Sequence, residues 1–218
     1  MKLHLALRKA AAMTLLEVVV VILALVILAA IFLPALAAAK KKSSRINCAN
    51  NAKQIGLTYR IWNGDNGDKF PAEVSTNNGG AMELALAGNV VMVFQVMSNE
   101  LSTPKVLICP SDTNHIYATN FSDGFTAKNI SYFVGLDAST NLPSTVLSGD
   151  ANLETGGTPV KSWLLRLRAN DSAGWTEKRH NKNGYVGLTD CSVEALDSNG
   201  FEKVLGKTGI VTNRFAIP

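Results

Sequence analysis

The stretch Ala12–Leu33, AMTLLEVVVVILALVILAAIFL, decides the fold of this chain. Within it, the 19 residues from Leu15 to Leu33 are apolar except for Glu17. As an α-helix, a segment of that length extends about 30 Å, which matches the hydrocarbon core of a bilayer. The sequence therefore predicts a membrane-spanning helix with one carboxylate near its start. Because a carboxylate is unfavourable in lipid, Glu17 is expected to have a partner.

The residues around Glu17 resemble the prepilin-type signal of type IV pilins and type II secretion pseudopilins. Residues 1–12 are basic and free of acids, as is the leader of that family. The run Met13-Thr14-Leu15-Leu16-Glu17 is similar to the family's Phe-Thr-Leu-Ile-Glu. The resemblance implies that prepilin peptidase cuts between Ala12 and Met13 and that the new amine of Met13 is methylated. One departure is Ala12, since the family usually has Gly before the cut.

The same resemblance implies roles in assembly. Glu17 would meet the N-terminal amine of a neighbouring subunit, and Pro34 lies where many pilins bend the same helix. The chain would be a structural subunit of a type IV pilus-like or type II secretion pseudopilus filament. Its partners would be further copies of itself, other pilin-like subunits, prepilin peptidase, the inner-membrane assembly platform and membrane lipid. Before assembly it would cross the inner membrane once, with a cytoplasmic N-terminus and a periplasmic head.

A second resemblance covers the C-terminal part of the chain. His180 is followed ten positions later by Asp190, which is similar to the His-x9-Asp-Gly motif of pilin-like proteins from the Planctomycetes and Verrucomicrobia group. Cys191 stands where that motif has Gly. We favour a structural role, in which His180 satisfies a buried polar group and Asp190 starts a hairpin turn, over a catalytic pair.

Four segments follow from these patterns. They are the leader 1–12, a transmembrane or filament-core helix 13–39, a helical stem 40–63 and an extracytoplasmic α+β head 64–218. The turn-forming run Asn63–Asp68 is expected to end the stem; it is too short and misphased for an EF-hand calcium loop. The head has 155 residues, enough for one hydrophobic core. The predicted fold class is α+β and pilin-like, with the long N-terminal helix packed on a small β-containing head.

Hydrophobic spacing predicts the elements of the head. Val90–Leu101 has helical spacing, and Phe201–Leu205 is expected to be a short final helix before an extended tail, residues 210–218. Strands are predicted at residues 105–109, 130–136, 145–147 and 185–188. A hairpin over residues 184–196 is expected to turn near Asp190 and Cys191.

Charge is distributed unevenly along the chain. Residues 1–63 contain nine Lys or Arg and one Glu, a balance of +8, whereas residues 64–218 contain twelve Lys or Arg and sixteen Asp or Glu, a balance of −4. The basic character thus belongs to the segments that flank the membrane. A mildly acidic head is not typical of a nucleic-acid-binding surface, so no nucleic-acid partner is predicted.

The three cysteines suggest one disulfide and one remaining thiol. Cys48 on the stem and Cys109 in the head are expected to form the disulfide. The alternative is that both are reduced. Cys191 is the expected free thiol. The spacings contain no Cys-x-x-Cys or other zinc pattern, so neither a metal nor a cofactor is predicted. No hydrolase, metalloprotease or phosphate-loop motif accompanies His115 or His180, and no enzymatic activity is expected.

Two alternatives remain open at this stage. Ala35-Leu36-Ala37 could be cut by an ordinary signal peptidase, or the apolar run could be an uncleaved signal anchor, although signal peptides usually have an apolar region of only about 7 to 15 residues. Either outcome would leave a secreted or membrane-tethered envelope binding module that does not polymerise. Substitution of Glu17 distinguishes this module from a filament subunit.

Overall fold

The structure is a computed structural model that describes residues 14–218. Ala12 and Met13, the predicted cleavage residues, lie outside the described residues. The chain divides into two compact units, Met1–Lys42 and Ser43–Pro218. As predicted, the fold is α+β: a long N-terminal helix comes first in the chain, and the second unit contains a β-sheet.

The first helix, α1, covers Leu15–Asp65 and has 51 residues. Pro34 lies inside it and has no backbone N–H, so one hydrogen bond of the helix is missing there. The helix ends two residues beyond the predicted Asn63, where Asn66 Nδ2 donates to the Trp62 carbonyl at 2.7 Å. Gly67 and Asp68 then adopt positive φ angles, which a helix cannot continue.

The remaining helices and strands belong to the second unit. The helices are α2 Met82–Leu86, α3 Val90–Val96, α4 Ser98–Leu101 and α5 Ser198–Lys207, with 3₁₀ turns at Pro71–Glu73, Thr76–Asn78, Pro104–Leu107 and Ala127–Asn129. The strands are β1 Tyr132–Gly135, β2 Val146–Asp150, β3 Leu153–Thr155, β4 Thr158–Pro159, β5 Leu164–Arg168, β6 Ala173–Trp175, β7 Asn183–Leu188, β8 Val193–Asp197 and β9 Thr212–Ala216.

Within residues 43–218 the strands form two antiparallel sheets. The larger has the order β5-β9-β1-β2-β7-β8, and the smaller has the order β4-β3-β6. Strand β2 therefore lies in the middle of the larger sheet and ends at Asp150, whose neighbour across the sheet is Tyr132. This position places a carboxylate inside the second unit.

Two hydrophobic clusters stabilise the second unit. One packs Cys48, Ile55 and Tyr59 of α1 against α3 and β1. The other contains the aromatic rings of Phe133, Trp175, Phe201 and Phe215, with the rings of Trp175 and Phe201 4.8 Å apart. Burial of such large apolar side chains is the main favourable contribution to folding of this unit.

One predicted strand is wrong, and one predicted helix is divided. Residues 105–109 do not form a strand; Pro104 begins a 3₁₀ turn, and the Thr103 side chain accepts from the Lys105 N–H. A proline at the first position of a turn favours this geometry and removes a donor that a strand would need. Val90–Leu101 forms two helices, α3 and α4, which meet at Met97.

A glycine in β7 is required by close packing. A Cβ on Gly184 would lie 2.1 Å from Cε2 of Trp175, whose indole N–H donates to the Asp150 carbonyl at 3.1 Å and so holds the ring in place. We expect Gly184→Ala to lower the free energy of unfolding by about 3 kcal/mol through overpacking. Urea unfolding of the full chain in detergent measures this.

Gly206→Ala in α5 is the matched control, because a Cβ there meets no atom within 4 Å. This variant is expected to be unchanged or to gain up to about 1 kcal/mol, since Ala is the better helix former. Equal losses of stability in the two variants would disprove the packing explanation.

Candidate functional site

The apolar part of α1 is exposed along its whole length in the described residues. Every large apolar side chain from Leu15 to Leu36 has between 39% and 85% of its surface accessible. Soluble proteins rarely expose a continuous apolar surface of this size. The segment is long and apolar enough to cross a membrane, and it lies near the N-terminus, where signal sequences have the same composition. This surface requires a lipid or protein environment to cover it.

Glu17 has a local role that the sequence reasoning missed. Thr14 precedes the first helical residue, its backbone N–H donates to Glu17 Oε2 at 2.9 Å, and the Glu17 N–H donates to Thr14 Oγ1 at 3.3 Å. These reciprocal bonds are a capping box, in which two side chains satisfy N–H groups that the helix leaves unpaired. The spacing Thr-x-x-Glu was the available sequence signal. Glu17 therefore caps the N-terminus of its own helix. These hydrogen bonds do not neutralise its negative charge.

The side chain of His180 is buried within the second unit. Its Nε2 atom lies 3.3 Å from Cys109 Sγ and 3.8 Å from Asp150 Oδ2, and its ring packs edge-on against Tyr185. Burial, followed by the charges of Arg45 and Arg179, lowers the pKa of His180 to about 4. The imidazole is consequently neutral at pH 7, so its approach to Asp150 is not an ion pair.

Asp150 ends the central strand β2 and is completely buried. Its Oδ2 atom accepts from the Tyr185 N–H at 2.9 Å, whereas Oδ1 has no hydrogen-bond partner. Burial raises the pKa of Asp150 to about 6, although the charge of Arg179 and the bond from Tyr185 act in the opposite direction. A buried carboxylate with one unpaired oxygen is energetically costly.

A second buried group of polar side chains surrounds Arg179. Its guanidinium forms an ion pair with Asp112 and donates to the Ser131 carbonyl at 2.7 Å, and Ser131 Oγ donates to Asp112 Oδ2 at 2.8 Å. Nδ1 of His115 lies 2.6 Å from the same carboxylate but is not well aligned for a hydrogen bond. Burial raises the pKa of Asp112, but His115, Arg179 and Ser131 outweigh it and bring the pKa down to about 2.

The structure joins Cys48 and Cys109 in a disulfide, as predicted, and leaves Cys191 as a free, partly buried cysteine.

The structure does not bring His180 and Asp190 together. These two motif residues flank the six residues of β7, which extend about 20 Å. Asp190 Oδ1 accepts from the Ser192 N–H in the turn between β7 and β8, and Cys191 has a φ of 67° there. The arrangement is that of a hairpin turn, in which Gly would fit better than Cys.

The opposed pKa shifts of Asp150 and His180 predict how the free energy of unfolding depends on pH. Between pH 4 and 6, folded Asp150 retains a proton that the unfolded chain has lost, so its contribution to stability falls as pH rises. Folded His180 lacks a proton that the unfolded chain still holds, so its contribution rises with pH. Each slope is at most about 1.4 kcal/mol per pH unit, and in the wild-type chain the two largely cancel. Asp112, with a pKa of about 2, adds a rising slope near pH 4, where its carboxyl is still partly protonated in the unfolded chain.

Single substitutions are expected to reveal each slope. Relative to the wild-type chain, the free energy of unfolding of Asp150→Asn should rise more steeply from pH 4 to 6, and that of His180→Gln should rise less steeply or fall. Urea unfolding at pH 4, 5 and 6 measures both. If both variants change the wild-type slope in the same direction, the assigned directions of the pKa shifts are wrong.

Within residues 14–218, one group of ligand-type side chains is close enough to hold a single metal ion: Cys48, Cys109 and His180.

No protein-family model matches the chain, and comparisons with curated proteins and with solved structures give no significant match.

Proposed function

We propose that the protein is a structural subunit of a type IV pilus-like or type II secretion pseudopilus filament. Prepilin peptidase cuts it between Ala12 and Met13, the new amine is methylated, and the N-terminal helix then assembles with those of other subunits. The proposed layout is that of a pilin, in which the long helix continues from the filament core into a small α+β head.

The observation that carries this proposal is the exposed apolar surface of α1 with a single charge in it. Glu17 is the only charged residue between Lys9 and Lys40. In a simple anchor, the charge of a carboxylate inside the apolar run opposes insertion, and the capping box with Thr14 does not require that charge, because Gln can replace Glu in it. In a filament, however, such a carboxylate can select and align a positively charged neighbour.

On its C-terminal side, within the part of the chain that the structure describes, Glu17 has no basic residue nearby in sequence. The next Lys or Arg toward the C-terminus is Lys40, 23 residues and more than six helical turns away. In the capping box the Glu17 carboxylate accepts from the Thr14 N–H and from the Thr14 hydroxyl, and these bonds leave its negative charge uncompensated. The free amine of Met13 on a neighbouring subunit would supply a positive charge in a medium that screens it poorly.

The length of α1 also favours a filament subunit over a minimal anchor. Its 51 residues are more than twice the roughly 20 that cross a bilayer. Within the second unit, α1 contributes Cys48, Ile55 and Tyr59 to the core but leaves Leu57 and Ile61 more than half exposed. A helix with exposed apolar residues beyond the membrane-length segment presents additional surface for neighbouring subunits.

The proposed location follows from the same processing. Before assembly the chain crosses the inner membrane once, with its N-terminus in the cytoplasm and its head in the periplasm. Lys40, Lys41 and Lys42 then lie at the interface after the apolar run, where basic residues can contact lipid headgroups. After assembly the subunit resides in a periplasmic or cell-surface filament.

Filament recovery tests the proposal. The chain would be produced together with a prepilin peptidase and an assembly platform, and in a matched strain that lacks the platform. Sheared material would be pelleted and examined by electron microscopy with antibodies against residues 64–218. Labelled filaments are expected only with the platform. A chain that stays in the detergent-soluble membrane fraction of both strains would instead support a tethered binding module.

A further inference from the structure

The larger sheet of the second unit has two open edges. Within residues 43–218, β5 pairs with β9 alone and β8 pairs with β7 alone. The unpaired N–H and C=O groups of such edge strands can pair with a strand of another chain. All pairings in this six-stranded sheet are antiparallel, so β5 and β8 run in opposite directions.

The two edges carry opposite charges. Residues 158–170, which contain β5, have three basic side chains and no acidic one, whereas residues 189–199, which contain β8, have three acidic side chains and no basic one. All six are exposed: Lys161, Arg166, Arg168, Asp190, Glu194 and Asp197. Like charges oppose the pairing of two identical edges, and opposite charges favour the pairing of β5 with β8. The partner that fits each edge is therefore the other edge of a second copy.

Ala195, in the middle of β8, presents its backbone groups to a neighbouring chain. Its partner in the pairing with β7 is Tyr185, whose N–H donates to Asp150 Oδ2 of β2 instead. Because the backbone groups of successive residues in a strand point to opposite sides, the N–H and C=O of Ala195 point away from β7. The Ala195 side chain is small and exposed, so it does not hinder the approach of another strand.

On β5 the corresponding free position is Arg166. The outward backbone groups on either side of it are occupied by side chains of the same chain. The Ser162 hydroxyl donates to the Leu164 carbonyl at 2.8 Å. The Arg168 N–H donates to Asp171 Oδ2 at 2.8 Å. Arg166 has the same orientation, because residues two positions apart in a strand point the same way, and no such side chain occupies its backbone groups within the described residues.

We propose that β8 of one copy pairs antiparallel with β5 of the next, with Ala195 opposite Arg166. This pairing rests on the proposed function, because it specifies how the heads of neighbouring subunits meet. Since β5 and β8 run in opposite directions, a second copy in the same orientation places its β5 antiparallel to β8 of the first. The contact joins two different surfaces and leaves one edge free at each end, so it can repeat along a filament. Only the middle of β5 is free, so the contact supplements assembly through α1.

Disulfide cross-linking between full-length chains tests this register. Opposed residues of a hydrogen-bonded antiparallel pair have Cα atoms about 5.5 Å apart, which a disulfide can bridge. Two differently tagged chains, both with Cys191→Ser, would carry Arg166→Cys or Ala195→Cys and would be produced together with the peptidase and the assembly platform. Oxidation should join the two tags in a mixed dimer, and a chain with both new cysteines should give a ladder of oligomers. No mixed dimer, or a ladder that stops at the dimer, overturns the proposal.

Thr119→Cys takes the place of Arg166→Cys in the matched control. Thr119 is also exposed, but it lies outside both edge strands. Chains with Thr119→Cys and Ala195→Cys should give no more mixed dimer than chains in which only Ala195→Cys is present. Equal yields from the Thr119→Cys and Arg166→Cys pairs would show random collision and overturn the assignment.

Charge reversal tests whether the two edges attract each other. In the chain with both new cysteines, Arg168→Glu and Glu194→Arg should each slow cross-linking about two- to fivefold, the factor that one exposed ion pair contributes. The two reversals together restore opposite charges on the two edges and should recover the rate. A double variant as slow as the single ones would overturn the role of charge in the pairing.

The fraction in which the cross-link forms separates this pairing from the proposed function. Cross-links would be scored in sheared filaments and, separately, in membranes. Filaments without the mixed dimer would overturn the pairing of β5 with β8 and leave the proposed function intact. A mixed dimer in the membranes of cells that form no filaments would support the pairing and contradict the filament.

Discussion

Cells that produce the Glu17→Val chain are expected to assemble no filaments, and Glu17→Gln is expected to fail as completely. Both substitutions remove the negative charge that would pair with the amine of a neighbouring subunit in the apolar core. They differ in local effect, because Gln can replace Glu in the capping box with Thr14, whereas Val cannot. The sheared-filament assay described above measures the result for each variant.

Thr14→Ala is the matched control for the local effect. It removes the Thr14 hydroxyl from the capping box and costs about 1 kcal/mol of helix stability, but it retains the Glu17 charge. This variant should still assemble. If Glu17→Gln assembles like the wild type while Thr14→Ala does not, Glu17 acts as a helix cap and the proposed charge pairing is wrong.

Arg179→Met is expected to be the most destabilising substitution in the second unit. The Arg179 side chain is 6% exposed and its partner Asp112 is fully buried, so the variant leaves a buried carboxylate without its counter-charge. Breaking such a pair typically costs about 3 to 5 kcal/mol. For a unit of this size, we expect the midpoint of thermal unfolding to fall by about 10 °C. Differential scanning calorimetry of the full chain in detergent measures the shift.

Arg214→Met is the matched control. Arg214 pairs with Asp137, but its side chain is 39% exposed, so water screens both charges and the loss should be about 1 kcal/mol or less. The double variant Asp112→Asn with Arg179→Met removes both charges and should recover part of the stability lost by Arg179→Met. A double variant as unstable as the single one would show that the buried charge is not the cause.

The sequence predicted the elements whose patterns are long or sharply bounded. The apolar run and the absence of Gly before Gly56 predicted α1, and the dense turn formers after Trp62 placed its end within two residues. The hairpin of β7 and β8 was predicted from the apolar run at residues 185–188 and a turn near Asp190 and Cys191. In each case local interactions and tertiary packing favour the same structure.

Shorter elements could not be predicted in this way. Strands β3, β4 and β6 have only two or three residues each, too few to show a period, and they form a sheet through pairings that the sequence does not mark. At residues 105–109 the apolar composition suggested a strand, but Pro104 and the Thr103 cap favoured a 3₁₀ turn.

The buried polar residues were the hardest to predict. His180 was chosen from the motif and was expected to satisfy a buried polar group, but nothing in the sequence indicated that Asp150 and Cys109 lie beside it. The contact between His180 and Cys109 joins residues 71 positions apart. Such contacts depend on strand order, which no local pattern encodes. The position of Arg179 directly before His180 was the one available signal for the neighbouring ion pair.

Determination of the N-terminus tests the proposed processing and assembly most directly. Chain recovered from native membranes would be examined by intact mass and by sequencing of its N-terminal peptide. The expected result is a chain that begins at Met13 and carries one methyl group on its amine. A chain that begins at Ala38 would show cleavage by an ordinary signal peptidase, and one that begins at Met1 would show an unprocessed anchor; either result would contradict a mature filament subunit.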